Sequence, residues 1–387
     1  MGYTCWASVR GRARRWRNCP ARFTQRRRAE VVVVGETRPM RADGDRGLRA
    51  RRVFMLLLLA LAAAATLGLT QGATAASLPA VLRDWLGGDA APLRDMTILR
   101  DIRLPRLMLG MLVGASLAVS GAVMQGLFRN PLADPGLVGV SSGAGLGAIA
   151  AIVLPGGLGI ALPAVLGFYL VPLAAFCGGW AMTVALYAIA TRQGRTSVAT
   201  MLLAGIALGA MAGAVSGLIV FRANDQQLRD LTFWGLGSLS GATWSKVLAA
   251  GPIILLALAA APFLARGLNR LTLGEAAALH MGTPVQRVKR AAILSVAAAT
   301  GASVAVSGGI GFVGIVVPHL LRLAIGPDHR WLLPCSALLG AALLVLADVV
   351  SRTVIAPAEL PIGIVTAAMG APFFLWILLR QRGVIDL

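Results

Sequence analysis

The stretch from Ile102 to Gly147, IRLPRLMLGMLVGASLAVSGAVMQGLFRNPLADPGLVGVSSGAGLG, leaves few architectures open. After Arg103 and Arg106 it runs through apolar and small residues, breaks at Arg129-Asn130-Pro131, and resumes as a Gly/Ser-rich helix. At ~1.5 Å rise per residue, a run of about 20 such residues covers the ~30 Å hydrocarbon core of a bilayer. Pro131 and Pro135 lack an amide donor and disfavour helix, so NPLADP reads as a shaped turn at the membrane surface. Beyond it, Gly139, Gly143 and Gly147 recur every four residues and let a second backbone approach closely.

Composition extends this reading to the whole chain. With 57% hydrophobic and 13% charged residues, and a mean hydropathy of +0.77, the chain belongs with all-α polytopic membrane proteins. The net charge of +20 is concentrated at one end: residues 1–52 hold fifteen arginines against four acids. That segment is aperiodic and reads as a disordered extension, or as sequence upstream of a start at Met40 or Met55, in preference to a nucleic-acid patch. Residues 53–387 then form the transmembrane domain. Cys5, Cys19, Cys177 and Cys335 lack metal-type spacing, and neither a metal site nor a cofactor is expected.

Hydropathy places about ten spans, near 53–72, 104–127, 137–154, 162–190, 197–221, 245–264, 290–308, 310–325, 332–350 and 361–379. Arginines in the short loops favour one side, putting both termini in the cytoplasm. Ala115–Gly121 (ASLAVSG) recurs as Ala302–Gly308 (ASVAVSG) on a span of opposite direction, a faint sign of an inverted repeat.

Three further patterns bear on function. Gly205, Gly209, Gly213 and Gly217 lie at i, i+4 spacing, forming a glycine face suited either to close helix packing or to lining a passage for a bulky solute. In the largest cytoplasmic loop, Gly274 and Gly282 bound a short helix containing Glu275, Ala277 and Ala278, placed as a docking knob. Asp348 precedes Arg352 by four residues, a same-face pair. The chain's only lysines, Lys246 and Lys289, follow Ser245 and Val288, so no Gly-Lys-Ser/Thr phosphate loop exists and active transport requires a separate ATPase. His280, His319 and His329 are too scattered for a metal site, and no chain of buried acids suggests proton coupling. A non-transporting scaffold and a secondary transporter are the other classes that hydropathy alone leaves open.

The opening stretch, with MLLAGIALGA, FWGLGSLSGATW, LGEAAALHMG, SGGIGFVGIVVPHLLRL and APAELPIGIVTAAMGAPFFLWILLR, resembles the iron-chelate and cobalamin uptake permeases, the membrane subunits of type II ABC importers. The resemblance covers most of residues 53–380. It implies ten helices per subunit, a homodimer around a central path, two ATPase subunits, a periplasmic solute-binding protein and a bacterial inner membrane. It also implies that Arg103, Arg106 and Arg352 meet acids on the binding protein, and that the Gly274–Gly282 helix seats in the ATPase. TRQGRTSVAT, NDQQLRDLTFWGLGSL and GPDHRWLLP look most like hemin permeases, with ferric siderophore or cobalamin as the alternative cargo.

Overall fold

The computed structural model describes residues 47–72, 74, 76–87, 92–157, 164–192 and 195–380. The N-terminal extension up to residue 46, with Cys5, Cys19 and Met40, lies outside them. The first helix, α1 (Gly47–Thr70), starts within the segment assigned to that extension, because Arg49, Arg51 and Arg52 are good helix formers continuing an apolar run. There follow α2 (Leu78–Trp85), α3 (Leu93–Thr97), a π-helical turn (Ile98–Arg103) and α4 (Leu104–Phe128). A 3₁₀ turn (Pro135–Val138) leads into α5 (Val140–Gly157) and α6 (Ala164–Ala190). A small hairpin of β1 (Thr191–Arg192) and β2 (Arg195–Thr196) precedes α7 (Val198–Val220), α8 (Asp225–Leu236) and α9 (Trp244–Leu271). The chain closes with α10 (Glu275–His280), α11 (Val285–Ser307), α12 (Val313–Ile325), α13 (His329–Thr353) and α14 (Ile362–Arg380).

All ten expected spans are helical. Among the described residues seven helices are long and apolar enough to cross a bilayer, while Val140–Pro155, Val313–Ile325 and Ile362–Trp376 are shorter apolar segments. The centre is α4, buried along nearly its whole length against α9, α11, α12 and α13. Glycine makes this possible. A Cβ on Gly114 would collide with the Gly340 carbonyl of α13, and a Cβ on Gly340 with the Gly114 carbonyl; Gly121 sits equally close to Gly314 of α12. Gly143 and Gly178 form the same reciprocal contact between α5 and α6. Lipid supplies no hydrophobic drive between helices, so backbone-to-backbone approach provides the packing.

The two copies of the ASxAVSG echo meet in space. Ser303 of α11 donates to Ser116 of α4 at 2.9 Å, and these serines occupy the same position in each copy. A contact between equivalent residues is compatible with a two-fold relation between the two helices.

Two local features differ from the sequence reading. The NPLADP turn does not stay at the surface. Arg129 adopts a left-handed conformation (φ 51°), and the chain folds back so that Asp134 and Pro135 lie beside Gly314 and Leu117, near the middle of α4. The other is α8, which hydropathy passes over because it is polar at its start. It is set by a capping box, Asn224 accepting from the Gln227 amide and Gln227 accepting from the Asn224 amide. With 12 residues it spans ~18 Å, only part of a ~30 Å core. Its end meets the end of α11, where Ser238 N–H donates to the Ser307 carbonyl at 2.8 Å, and Gly237 and Gly308 both take φ 71°.

Replacing Gly340 with Val would force α4 and α13 apart. Overpacking ordinarily costs ~1–3 kcal/mol, and a collision with backbone should exceed that. The expected outcome is loss of monodisperse protein on size exclusion in mild detergent, with Gly217→Val, whose Cβ would meet nothing, behaving as wild type.

Candidate functional site

The functional residues expected from sequence fall at three places: the outer edge, the opposite end, and the flank formed by α7.

At the end expected to face outward, the three arginines point inward. Arg106 donates through Nε to both Asp348 oxygens (2.9 and 3.1 Å) and through a terminal nitrogen to Glu359 (2.9 Å). Arg352 lies 3.4 Å from the second Asp348 oxygen and donates to the Gly68 carbonyl at 2.6 Å. Arg103 donates to the carbonyls of Leu69, Thr70 and Thr74, capping the C-terminal end of α1. All three are no more than 7% exposed. The docking rim expected at these positions therefore does not match where the guanidinium groups lie. They knot α1, α4 and α13 together, since a buried cation needs paired acceptors and the nearest carboxylates and helix-end carbonyls belong to the same chain. Arg94 and Arg100 are exposed on this edge.

At the opposite end, the expected knob is α10, with Gly274 (φ 105°) and Gly282 (φ 72°) at its borders. Its side chains are not all available, however. Ala278 is fully buried against the bundle and Ala277 is half-buried, so neither presents a free outward face. The outward residues are Ala276, Leu279 and His280. Glu275 pairs at 2.6 Å with Lys289, which is buried in α11 and also donates to the Thr196 carbonyl of β2 at 2.8 Å. Thr196 N–H in turn donates to Gln286 at 3.0 Å. The knob and the hairpin are thus tied through one lysine, around a cavity of about 630 Å³ lined by Arg195, Thr196, Glu275, Ala276 and Leu279.

On the flank, α7 keeps most of its surface open; only Met201 and Ala212 are buried. Gly205 is half-buried, and a Cβ on Gly209 would meet only the Ser142 hydroxyl at 3.4 Å. A Cβ on Gly213 or Gly217 would meet nothing within 4 Å. The outer half of the stripe thus packs against no helix of its own chain. The histidines remain apart: His280 is exposed on α10, His319 meets Phe373 edge-on, and His329 bonds Asn269 at 2.7 Å. Among the described residues no group of three or more His, Cys, Asp or Glu is placed to hold a metal ion.

The model of the FecCD transport family matches residues 56–380. The chain is 49% identical over 282 residues to the hemin transport system permease of Yersinia pestis, covering 73% of this chain and 83% of that protein. It is 46% identical over 301 residues to the cobalamin import system permease of Halobacterium salinarum, covering 76% and 78%. To the vitamin B12 import system permease of Escherichia coli it is 43% identical over 302 residues, covering 77% and 89%. A solved structure described as an inward-facing metal-chelate type ABC transporter matches with a TM-score of 0.75 and 30% identity, covering 85% of this chain and 99% of that one.

The outer knot gives a direct test. Asp348→Asn keeps the shape but leaves Arg106 and Arg352 with Glu359 as the remaining carboxylate. Breaking a buried pair costs ~3–5 kcal/mol, so thermal unfolding in detergent should begin at a clearly lower temperature. Arg100→Ala, on the exposed surface, should leave it unchanged.

Proposed function

Because the chain belongs to the FecCD transport family, we propose that it forms the membrane passage of an ATP-driven importer carrying hemin into the bacterial cytoplasm. It is a multi-pass ABC importer permease, a transport subunit and not an enzyme. The choice of hemin rests on the 49% identity to the Yersinia pestis hemin permease, the similarity that carries this reading furthest. Cobalamin is the second reading, favoured by the 46% and 43% identities to cobalamin and vitamin B12 permeases. Ferric siderophores are a third cargo to include in the test.

In this reading two copies assemble in the inner membrane with their α7 flanks toward a shared path. The open Gly213 and Gly217 positions leave room there for a flat macrocycle. Two ATPase subunits dock on the α10 end, and the Glu275–Lys289–Thr196 link carries motion from α10 to the hairpin that begins α7. A periplasmic binding protein approaches the outer edge, where Arg94 and Arg100 are exposed; Arg103, Arg106 and Arg352 would have to leave their internal partners to take part.

Two measurements test this. In vesicles holding the permease, its ATPase and its binding protein, ATP should drive uptake of hemin, and Gly213→Leu should abolish that uptake while assembly and basal ATP hydrolysis persist. Uptake of cobalamin or a ferric siderophore but not hemin would transfer the assignment to that cargo. For the docking end, Ala276→Trp should leave the isolated permease folded but prevent ATPase capture, because Ala276 is exposed. Normal capture and transport by that variant would place the ATPase elsewhere.

A further inference from the structure

The re-entrant turn creates a site that the import reading does not use. Between α4, α5, α8, α11 and α12 lies a cavity of about 320 Å³, lined by Leu117, Asp134, Ser141, Trp234, Thr300 and several glycines. A liquid-water share of ~30 Å³ per molecule gives room for about ten waters. Its breadth comes from the glycines: a Cβ on Gly235 or Gly311 would meet nothing within 4 Å.

Two of the lining residues, Thr300 and Trp234, carry buried polar atoms without a partner, and a third, Asp134, carries a carboxylate. Thr300 is 2% exposed, and its hydroxyl makes no hydrogen bond. The Trp234 indole N–H is likewise buried and unpartnered. Asp134 accepts one hydrogen bond, from the Gly136 amide at 2.7 Å, and makes no ion pair among the described residues. A carboxylate at this depth needs a compensating charge, and a buried hydroxyl and indole need something to bond. The C-terminal end of α8 closes one wall with partial negative charge, while the first turns of α5 and α12, at Ser141 and Gly314, bring the opposite sign, so the Asp134 carboxylate carries the preference for a cation.

We propose that this cavity binds one hydrated alkali cation, sodium or potassium, held by the Asp134 carboxylate with Thr300 as an oxygen ligand. Hard oxygen donors suit alkali and alkaline-earth ions and exclude soft metals. A single carboxylate balances one positive charge; a divalent ion would leave excess charge in a low-dielectric interior. Trp234 N–H cannot ligate a cation, but it can donate to a water of the hydration shell, and the cavity has room for that shell. Bound there, the ion joins the 131–139 turn to the ends of α8 and α11 and the start of α12, the junction where these partial helices meet. The site is independent of which solute the permease carries.

The test uses the full-length permease in lipid nanodiscs. Radioactive ²²Na⁺ should bind saturably at one ion per chain, displaced by unlabelled NaCl or KCl but not by choline chloride. Sodium should raise the unfolding temperature by several degrees relative to choline at equal ionic strength. Asp134→Asn should remove both effects, and Thr300→Val should weaken sodium binding about tenfold. If wild-type protein binds no ²²Na⁺ above background, the cavity holds water around a protonated carboxyl and the proposal fails. It fails equally if Asp134→Asn folds and still binds sodium. Should Asp134→Asn not fold, wild-type binding together with its loss of strength in Thr300→Val carries the decision.

Discussion

Everything in this molecule depends on how close two backbones can come without side chains between them. In water, helices associate by burying apolar surface; in lipid that gain is absent, because acyl chains are as apolar as leucine. What remains is contact area and hydrogen bonding, and both grow as the axes approach. The reciprocal Gly114–Gly340 and Gly143–Gly178 contacts seat α4 on α13 and α5 on α6. With α4 held at the centre, α9, α11 and α12 pack around it, and the Ser116–Ser303 bond joins α4 to α11.

The same close packing lets the chain bring polar groups inside. Arg103, Arg106 and Arg352 are held by carboxylates and by the carbonyl end of α1, so a cluster of buried charges fastens α1, one of the two least buried spans among the described residues. Near the middle, α8, α11 and α12 end or begin within the bundle. Their free backbone groups are satisfied locally, as in the Ser238–Ser307 bond, since irregular backbone at membrane depth survives only where protein or a cavity surrounds it.

Most of the architecture was legible because hydropathy reads a run of about 20 apolar residues without knowing its neighbours. The ten spans, the short helix between Gly274 and Gly282, and the inverted echo all follow from local pattern. What could not be read depends on partners remote in sequence. Arg106 and Asp348 are 242 residues apart, and an arginine at a span end looks the same whether it faces a partner protein or its own helix bundle. The NPLADP turn is polar and proline-rich, as surface turns are, yet its surroundings draw it inward. On α10 a rotation of ~100° per residue separates buried Ala278 from half-buried Ala277 and exposed Ala276, finer than any loop pattern specifies. The Asn224–Gln227 capping box was present in the sequence and could have announced α8.

Glycine thus has two roles here, distinguished by what lies opposite. Where a carbonyl faces it, it is packing; at Gly213 and Gly217, where nothing of its own chain lies within 4 Å, the proposed function makes it space for cargo. Cysteine labelling separates the two directly. In a background lacking the native cysteines, Gly213→Cys and Gly217→Cys should react with a membrane-impermeant maleimide in assembled vesicles, and hemin should protect them, while Ala118→Cys in the packed centre of α4 stays silent. Equal silence at Gly213 and Gly217, with normal assembly and uptake, would place that face against lipid or protein and contradict the account.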